Sequence, residues 1–306
     1  LVGQQGDDTI HGAAGDDTLL GSTSDDQLIG GTGNDTLEQS FDADMVLTDS
    51  SLTGMGTDAH SGFENVLLTG GASDNSIDAS AFTGSGVTLV GGSGNDTLAG
   101  SPGNDLLDGG NGTDRITQTI DANQTLTNVA ASGHGNDVLV AVEEALLQGG
   151  SGDNTLDAGS FTFGPVTLLG QAGDDTLTGS ASNDSIDGGS GTDMVQQFSN
   201  SDQALTDNSL TGMGTDSLTG IESAWLVGGP SSNTLDASGF NLGPVTLWGQ
   251  GGADTLHGSP GDDALDGGNG TDHLVQVTDS DQTLSNTTLT GHGTDSHNSL
   301  ELVQLT

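Results

Sequence analysis

The stretch from Gly91 to Ile116, GGSGNDTLAG SPGNDLLDGG NGTDRI, is three nine-residue units laid end to end, and it narrows the possible folds more than any other feature of the chain. Each unit reads G-G/S-x-G-x-D-x-aliphatic-x, with Asp96, Asp105 and Asp114 in sixth place and Leu98, Leu107 and Ile116 in eighth. The glycine-rich half makes a turn, because glycine takes positive φ without steric cost. The other half makes a short strand that sends one aliphatic side chain inward. Two units make one coil of a solenoid, so stacking brings each Asp close to the Asp eighteen residues on. Two facing carboxylates need a cation between them, and the carbonyls of the turn complete the cage. A hard divalent cation with about six to eight oxygen ligands and tolerant geometry is calcium rather than magnesium or zinc.

The same units recur along the chain. Four open it, with sixth-place carboxylates Asp8, Asp17, Asp26 and Asp35. Thereafter a longer unit repeats at the glycine pairs that begin at Gly30, Gly109, Gly188 and Gly267, and its step is constant (109 − 30, 188 − 109 and 267 − 188 are all 79). The predicted organisation is the end of a preceding repeat over 1–29, full repeats over 30–108, 109–187 and 188–266, and a partial repeat over 267–306. No insertion or deletion separates them, which predicts one continuous solenoid rather than beads on linkers. The chain begins and ends inside repeats, LVGQQGDDTI and SLELVQLT, and so reads as a piece of a longer array.

A finer period lies inside this long repeat. In the second copy the turn marks are Asp114, Asp137, Asn154, Asp175 and Asp193, with steps of 23, 17, 21 and 18, which predicts four coils of unequal length. The same ladder continues through Asp216, Asn233, Asp254, Asp272 and Asp295. Two residues beyond almost every rung stands an aliphatic: Ile116, Leu139, Leu156, Leu177, Val195, Leu218, Leu235, Leu256 and Leu274. These predict an axial core. Some 15 coils at a strand spacing of about 4.8 Å give a rod about 70 Å long. Two rungs break the pattern, with His60 and His297 where sister repeats place Leu139 and Leu218. Phe82, Phe161 and Phe240 recur once per repeat and read as filling of a wider coil; Trp225 and Trp248 replace Leu146 and Leu169 and read as core substitutions.

Composition excludes several function classes. One base, Arg115, stands against 44 acidic residues, giving a formal net charge of −43 that rules out nucleic acid and anionic membrane as partners. An acidic, glycine-rich chain with 3% aromatics is also the composition of a disordered protein, and the regular spacing is what argues otherwise. The chain has no cysteine, so disulfides and thiolate metal sites are excluded, and no apolar run approaches the roughly 20 residues of a membrane helix. A lyase acting on acidic polysaccharide needs a cation to neutralise the uronate and a base to take the proton. With no Lys, no Tyr and one Arg, replaced by Met194 and His273 at its sister positions, catalysis is not expected; His134 and His292 share a position held by Met55 and Met213 elsewhere.

The nonapeptides closely resemble the RTX (repeats-in-toxin) motif GGxGxDxUx, and the resemblance covers nearly the whole chain, since thirteen units keep the sixth-place Asp. It implies an all-β fold, a right-handed parallel β-solenoid or β-roll with calcium in its turns, here with about four coils per 79-residue repeat. The candidate calcium ligands are Asp8, Asp17, Asp26, Asp35, Asp96, Asp105, Asp114, Asp175, Asp184, Asp193, Asp254, Asp263 and Asp272. Complete pairs fall at Asp8/Asp26, Asp17/Asp35, Asp96/Asp114, Asp175/Asp193 and Asp254/Asp272. Asp105, Asp184 and Asp263 lack a nonapeptide partner on either side and predict half-built sites. Asn75, Asn154 and Asn233 read as bridges between backbone groups rather than ligands. Glu64, Glu143, Glu222 and Glu301 either complete a site or cap a turn.

The 79-residue unit resembles those of very large secreted or surface-attached bacterial proteins. That implies a calcium-stiffened extracellular spacer, fibre or surface-layer segment, exported by a type I route. The partners it implies are calcium ions and neighbouring copies of the same rod, met end to end or laterally. The alternative is a non-catalytic stabilising module of a secreted hydrolase or polysaccharide-active enzyme. Ice binding wants a regular row of Thr, and the seventh place (Thr97, Leu106, Arg115, Thr176, Ser185, Met194) is too uneven; glycan binding wants exposed aromatics, and these read as core.

Overall fold

The computed structural model describes residues 1–276, 282–285, 287–291 and 293–305; His292 and Thr306 lie outside the described residues. All regular structure among the described residues is β, in short strands paired mainly in parallel, as the nonapeptide pattern predicts. The chain divides into two compact units, Leu1–Ile120 with Gln124–Leu147, and Asp121–Asn123 with Gln148–Thr306.

In the first unit successive strands fall alternately into two parallel stacks. Thr9–Ala14 pairs with Gln27–Thr32 in one stack, and Thr36–Ser40, Asn65–Thr69, Val87–Ser93 and Leu106–Asn111 follow one another in the other. Inward side chains meet in register: Leu98 lies between Ile77 and Ile116, and Leu37 between Leu19 and Val66. All of these are at most 3% exposed. The aliphatics predicted two residues beyond each rung, from Ile116 to Leu274, are buried throughout, as are Phe82, Phe161 and Phe240. At about 1.5–3 kcal/mol for each fully buried Leu or Ile, these inward rows are the main apolar stabilisation within each unit.

What the spacing did not predict is a local reversal. Gly56–Ser61 pairs in parallel with Gln27–Thr32, but Ser51–Gly54 runs antiparallel to it and Met45–Thr48 antiparallel to Ser51–Gly54, before Met45–Thr48 pairs in parallel with Ser76–Ala81. Three strands thus fill one stack where a single pass would fill one place. In the second repeat the equivalent strands Gln124–Thr127, Ala130–Gly133 and Gly135–Val140 do the same in the other stack, next to Leu106–Asn111. The second unit repeats this alternation, with Gln203–Thr206, Ser209–Thr211 and Thr215–Thr219 in one stack and Thr283–Leu284, Thr288–Gly291 and Gly293–Asn298 in the other.

The exchange of stacks follows from counting. Counting each reversed triplet as one pass, seven passes separate Gln27–Thr32 from its equivalent Leu106–Asn111, so the predicted four coils resolve to three and a half. An odd number of passes carries every feature of one repeat to the opposite stack in the next.

Candidate functional site

Most turns that precede a strand present one carboxylate or amide, and the backbone joins these into ladders. The N–H of one rung donates to the side-chain oxygen of the rung on the next coil. In the first unit Asn75 N–H donates to Asp96 Oδ1 (2.7 Å), Asp96 N–H to Asp114 Oδ1 (2.7 Å) and Asp114 N–H to Glu143 Oε2 (3.0 Å). The second unit carries this ladder twice, as Asn154/Asp175/Asp193/Glu222 and Asn233/Asp254/Asp272/Glu301. A shortened version near the start runs Asp17/Asp35/Glu64.

A second kind of ladder alternates with the first. Val87 N–H donates to Asp105 Oδ1 (2.7 Å) and Asp105 N–H to Asp137 Oδ1 (3.0 Å), with Val166/Asp184/Asp216 and Val245/Asp263/Asp295 as its counterparts. Asp8/Asp26/Asp58 is the first of the series. Here the turn holds a serine in the second glycine place, and its hydroxyl donates to the same Oδ1: Ser101 to Asp105, Ser180 to Asp184 and Ser259 to Asp263, each at 2.8 Å.

All thirteen candidate aspartates are rungs, and all five predicted pairs are adjacent rungs on neighbouring coils. The predicted order of rungs needs correction at one place. Asp137 does not follow Asp114; it lies below Asp105, 32 residues away, because the reversed triplet displaces it, and Asp114 is followed by Glu143, 29 residues away. The recurring glutamates are therefore rungs. Their return at the same place in every repeat was the available signal. Asn75 Oδ1 accepts the Gly71 N–H at 2.8 Å, and its own backbone N–H donates to Asp96 Oδ1.

The arrangement leaves a row of oxygens unused. Oδ2 of Asp35, Asp96, Asp105, Asp114, Asp175, Asp193, Asp254, Asp263 and Asp272 is buried with no hydrogen-bond partner. A buried carboxylate oxygen without a donor is costly. Along the glycine-backed ladders each lies beside a glycine that also faces a backbone carbonyl of the next coil. A Cβ added to Gly91 would meet Asp96 Oδ2 and come within 2.6 Å of the Gly109 carbonyl, and one added to Gly249 would meet Asp254 Oδ2 and the Gly267 carbonyl at 2.5 Å. Glycine at these positions keeps open a space that carboxylate and carbonyl oxygens share. Among the described residues no group of three or more His, Asp or Glu side chains gathers at metal-holding distance. A cation fitting here would draw many of its ligands from backbone carbonyls, which suits calcium and not zinc.

Burial, opposed by the N–H bonds, raises the carboxyls of Asp96, Asp105, Asp114, Asp175, Asp184, Asp193, Asp254 and Asp263 above their ordinary value. At the foot of the serine-backed ladders the effect is larger: burial pushes Asp137 and Asp216 up to about 7 and Asp295 to about 6.

A ladder of stacked turns with oxygen-lined cradles defines the class of β-rolls. The RTX calcium-binding nonapeptide repeat family, described in four copies, matches residues 2–37, 82–116, 146–161, 167–195 and 246–274. RTX repeats thus recur along the chain. Calcium as the ion is implied by those repeats. No curated protein matches the chain. Among solved structures it is similar to the extracellular lipase LipA from Serratia marcescens, at 15% identity and a TM-score of 0.16; the match covers 78% of this chain and 37% of that one. No helix among the described residues is long and apolar enough to cross a membrane.

One sequence reading is overturned. Trp248 is 41% exposed and Trp225 half-buried, so neither is a core substitution. In the strands Ser223–Val227 and Val245–Trp248 the inward places belong to Ala224, Leu226, Val245 and Leu247, and the alternation of a β-strand turns Trp225 and Trp248 outward.

Proposed function

We propose that this chain is a calcium-dependent structural segment of a large extracellular bacterial protein, an adhesin extender, fibre or surface-layer rod, that folds on binding calcium after secretion. The end of a preceding repeat, three full repeats and a partial one would stack as one continuous solenoid. Asp96 with Asp114, Asp175 with Asp193, Asp254 with Asp272, Asp17 with Asp35 and Asp8 with Asp26 would hold the ions, and Asp105, Asp184 and Asp263 would hold them more weakly. The observation that carries the reading is the row of buried Oδ2 atoms without partners along the glycine-backed ladders. Without a cation these oxygens and a net charge of −43 oppose compaction. With calcium at about 100 times the dissociation constant each site adds about 2.7 kcal/mol, so five sites contribute about 13 kcal/mol, as much as the net stability of many domains. The deciding experiment is a calcium titration followed by circular dichroism and hydrodynamic radius. Cooperative gain of β signal and compactness, reversed by chelator, is expected; a chain that stays compact in excess chelator refutes the reading. Magnesium at equal concentration should fail to order the chain, because it dehydrates reluctantly and demands near-octahedral geometry.

A stabilising module of a secreted enzyme would use the same ladders. A catalytic domain elsewhere in the parent protein would favour that alternative.

A further inference from the structure

Both tryptophans of the chain stand on the outer face of one sheet, in adjacent strands. The register sets Trp225 beside Thr246 and Val227 beside Trp248, so the two indoles are diagonal neighbours. The next strand places Ala264 beside Thr246 and Asp266 beside Trp248, and the one after it sets Ser296 beside Ala264 and Asn298 beside Asp266. The outcome is an open cleft of about 360 Å³ bordered by both indoles. Ala264, the smallest side chain of its row, leaves room beside Trp248.

Two features make this more than an apolar patch. Phe198 meets the Trp225 ring edge-on, with centroids 5.4 Å apart and planes at 71°, which restrains the indole before any ligand arrives. On the other side Asp266 is held as well: its Oδ1 accepts the Gly268 N–H at 3.0 Å and its Oδ2 the Asn298 amide at 3.4 Å. Asp266 and Asn298 thus form a fixed carboxylate–amide pair beside the exposed ring of Trp248. The sister positions of the two tryptophans are Leu146 and Leu169 one repeat earlier and Leu67 and Val90 one before that. Aliphatics suffice to cover the sheet there, so both indoles in a single repeat need another reason.

The chemistry of the cleft selects the ligand. An anion is repelled by a chain of net charge −43. A plain hydrocarbon would strip water from Thr246, Ser296, Asp266 and Asn298 and return no hydrogen bonds. A cation would meet a single carboxylate already engaged by two N–H donors. A pyranose ring offers what remains, an apolar C–H face to lie on an indole and a rim of neutral hydroxyls that both donate and accept. We propose that this cleft binds a neutral saccharide, stacked on Trp248 and Trp225 and read at its edge by Asp266 and Asn298.

The test uses the calcium-loaded chain, with cellotetraose, laminaritetraose and maltotetraose as probes in calorimetric titrations and tetragalacturonate as the anionic control. At least one neutral tetrasaccharide should bind, with an affinity of about 0.1–1 mM, and tetragalacturonate should not. The variant carrying Trp225→Leu and Trp248→Leu restores the residues of the preceding repeat, so its calcium-loaded circular dichroism should be unchanged while affinity falls at least about tenfold. Failure of all three neutral probes overturns the proposal, as does binding that survives the double substitution. A concentration-dependent dimer abolished by that substitution would assign the face to a second copy of the chain and also overturn it.

Discussion

The glycine-backed and serine-backed ladders use the same aspartate for different ends. In Asn75/Asp96/Asp114/Glu143 each Asp spends one oxygen on the N–H of the coil before and keeps the other buried and unpaired. In Val87/Asp105/Asp137 and its counterparts a serine hydroxyl shares the bonded oxygen, and at Asp184 the Ser180 N–H also takes Oδ2 at 2.6 Å. At Asp184 the Ser180 turn thus satisfies both oxygens itself, whereas Oδ2 of Asp105 and of Asp263 stays buried and unpartnered. Because each repeat makes seven passes, ladders of the two kinds alternate along each edge of a unit, so the two kinds of turn are interleaved.

The largest expected effect tests that difference directly. Asp96→Asn with Asp114→Asn keeps the Oδ1 acceptors but removes both charges and both orphan oxygens. Loss of the site removes about 2.7 kcal/mol of calcium-linked stability, which the other four of five sites recover with about a threefold rise in the calcium midpoint of folding. Asp105→Asn with Asp137→Asn should shift the midpoint less than that. Asp137 titrates at about 7 in the metal-free protein, so an amide there resembles a form it already adopts near neutrality. Equal shifts from the two double substitutions would erase the distinction between the ladders.

Acid sharpens the comparison from the other side. Asp137, Asp216 and Asp295 have folded-state values of about 7, 7 and 6, above the ordinary carboxylate value of the unfolded chain. A raised folded value means that the folded state binds more protons, so the stability from these groups is fully present below about pH 4 and is lost as pH rises through 6 to 7. In chelator the chain should therefore gain β signal and compactness on acidification from pH 8 to pH 4.5. A metal-free chain equally expanded at both would contradict these shifts. With calcium bound, the sign should reverse as protons compete for the ligands.

The core offers a smaller test. His60 is 6% exposed, packs with its ring centroid 6.1 Å from that of Phe63 and 6.4 Å from that of Phe82, and leaves Nε2 buried without a partner. His297 Nε2 is likewise buried and unpartnered. Burial depresses His60 below its ordinary value, so it opposes folding as pH falls through about 6.5. His60→Leu, which restores the side chain of the sister repeats, should stabilise the calcium-loaded chain by about 1–3 kcal/mol in thermal or denaturant unfolding. Any loss of stability would show that the ring makes contacts a leucine cannot replace.

Much of this architecture is written in residue spacing. The eighteen-residue coil, the long repeat, the inward aliphatics and the buried Phe82, Phe161 and Phe240 follow from periodicity, because a coil of fixed length must return each position to the same place. The reversed triplets do not. Met45, Leu47, Leu52 and His60 alternate inward just as a parallel strand would, and alternation has no memory of strand direction. Missing the reversal misplaced Asp137 and left Glu143 unassigned. The tryptophans were lost for a different reason. Residue type argued for burial, whereas their parity relative to Leu226 and Leu247 put them outside, and parity is what the strand obeys.

The smallest effect separates conformation from ligation within the ladders themselves. At the turn preceding Asp96 the chain uses Gly92, with φ of 112°. The equivalent places before Asp175 and Asp254 hold Gln171 and Gln250, with φ of 80° and 70°, in the left-handed region that residues with a Cβ enter at a cost. Gln171 pairs with Gly189 on the next coil, so its conformation is fixed by the stacking rather than chosen locally. Neither glutamine removes a candidate ligand; each only strains the turn that presents one. Gln171→Gly should therefore raise the thermal stability of the calcium-loaded chain by about 1 kcal/mol, part of the relieved strain being offset by the greater freedom of glycine in the unfolded state. Gly92→Gln should cost more, because a Cβ there would also meet the Gly71 carbonyl at 2.4 Å, and neither should change the number of calcium ions bound. A change in stoichiometry would mean that these side chains shape the cradle itself, and the turn's geometry and its ligand set would then be one property instead of two.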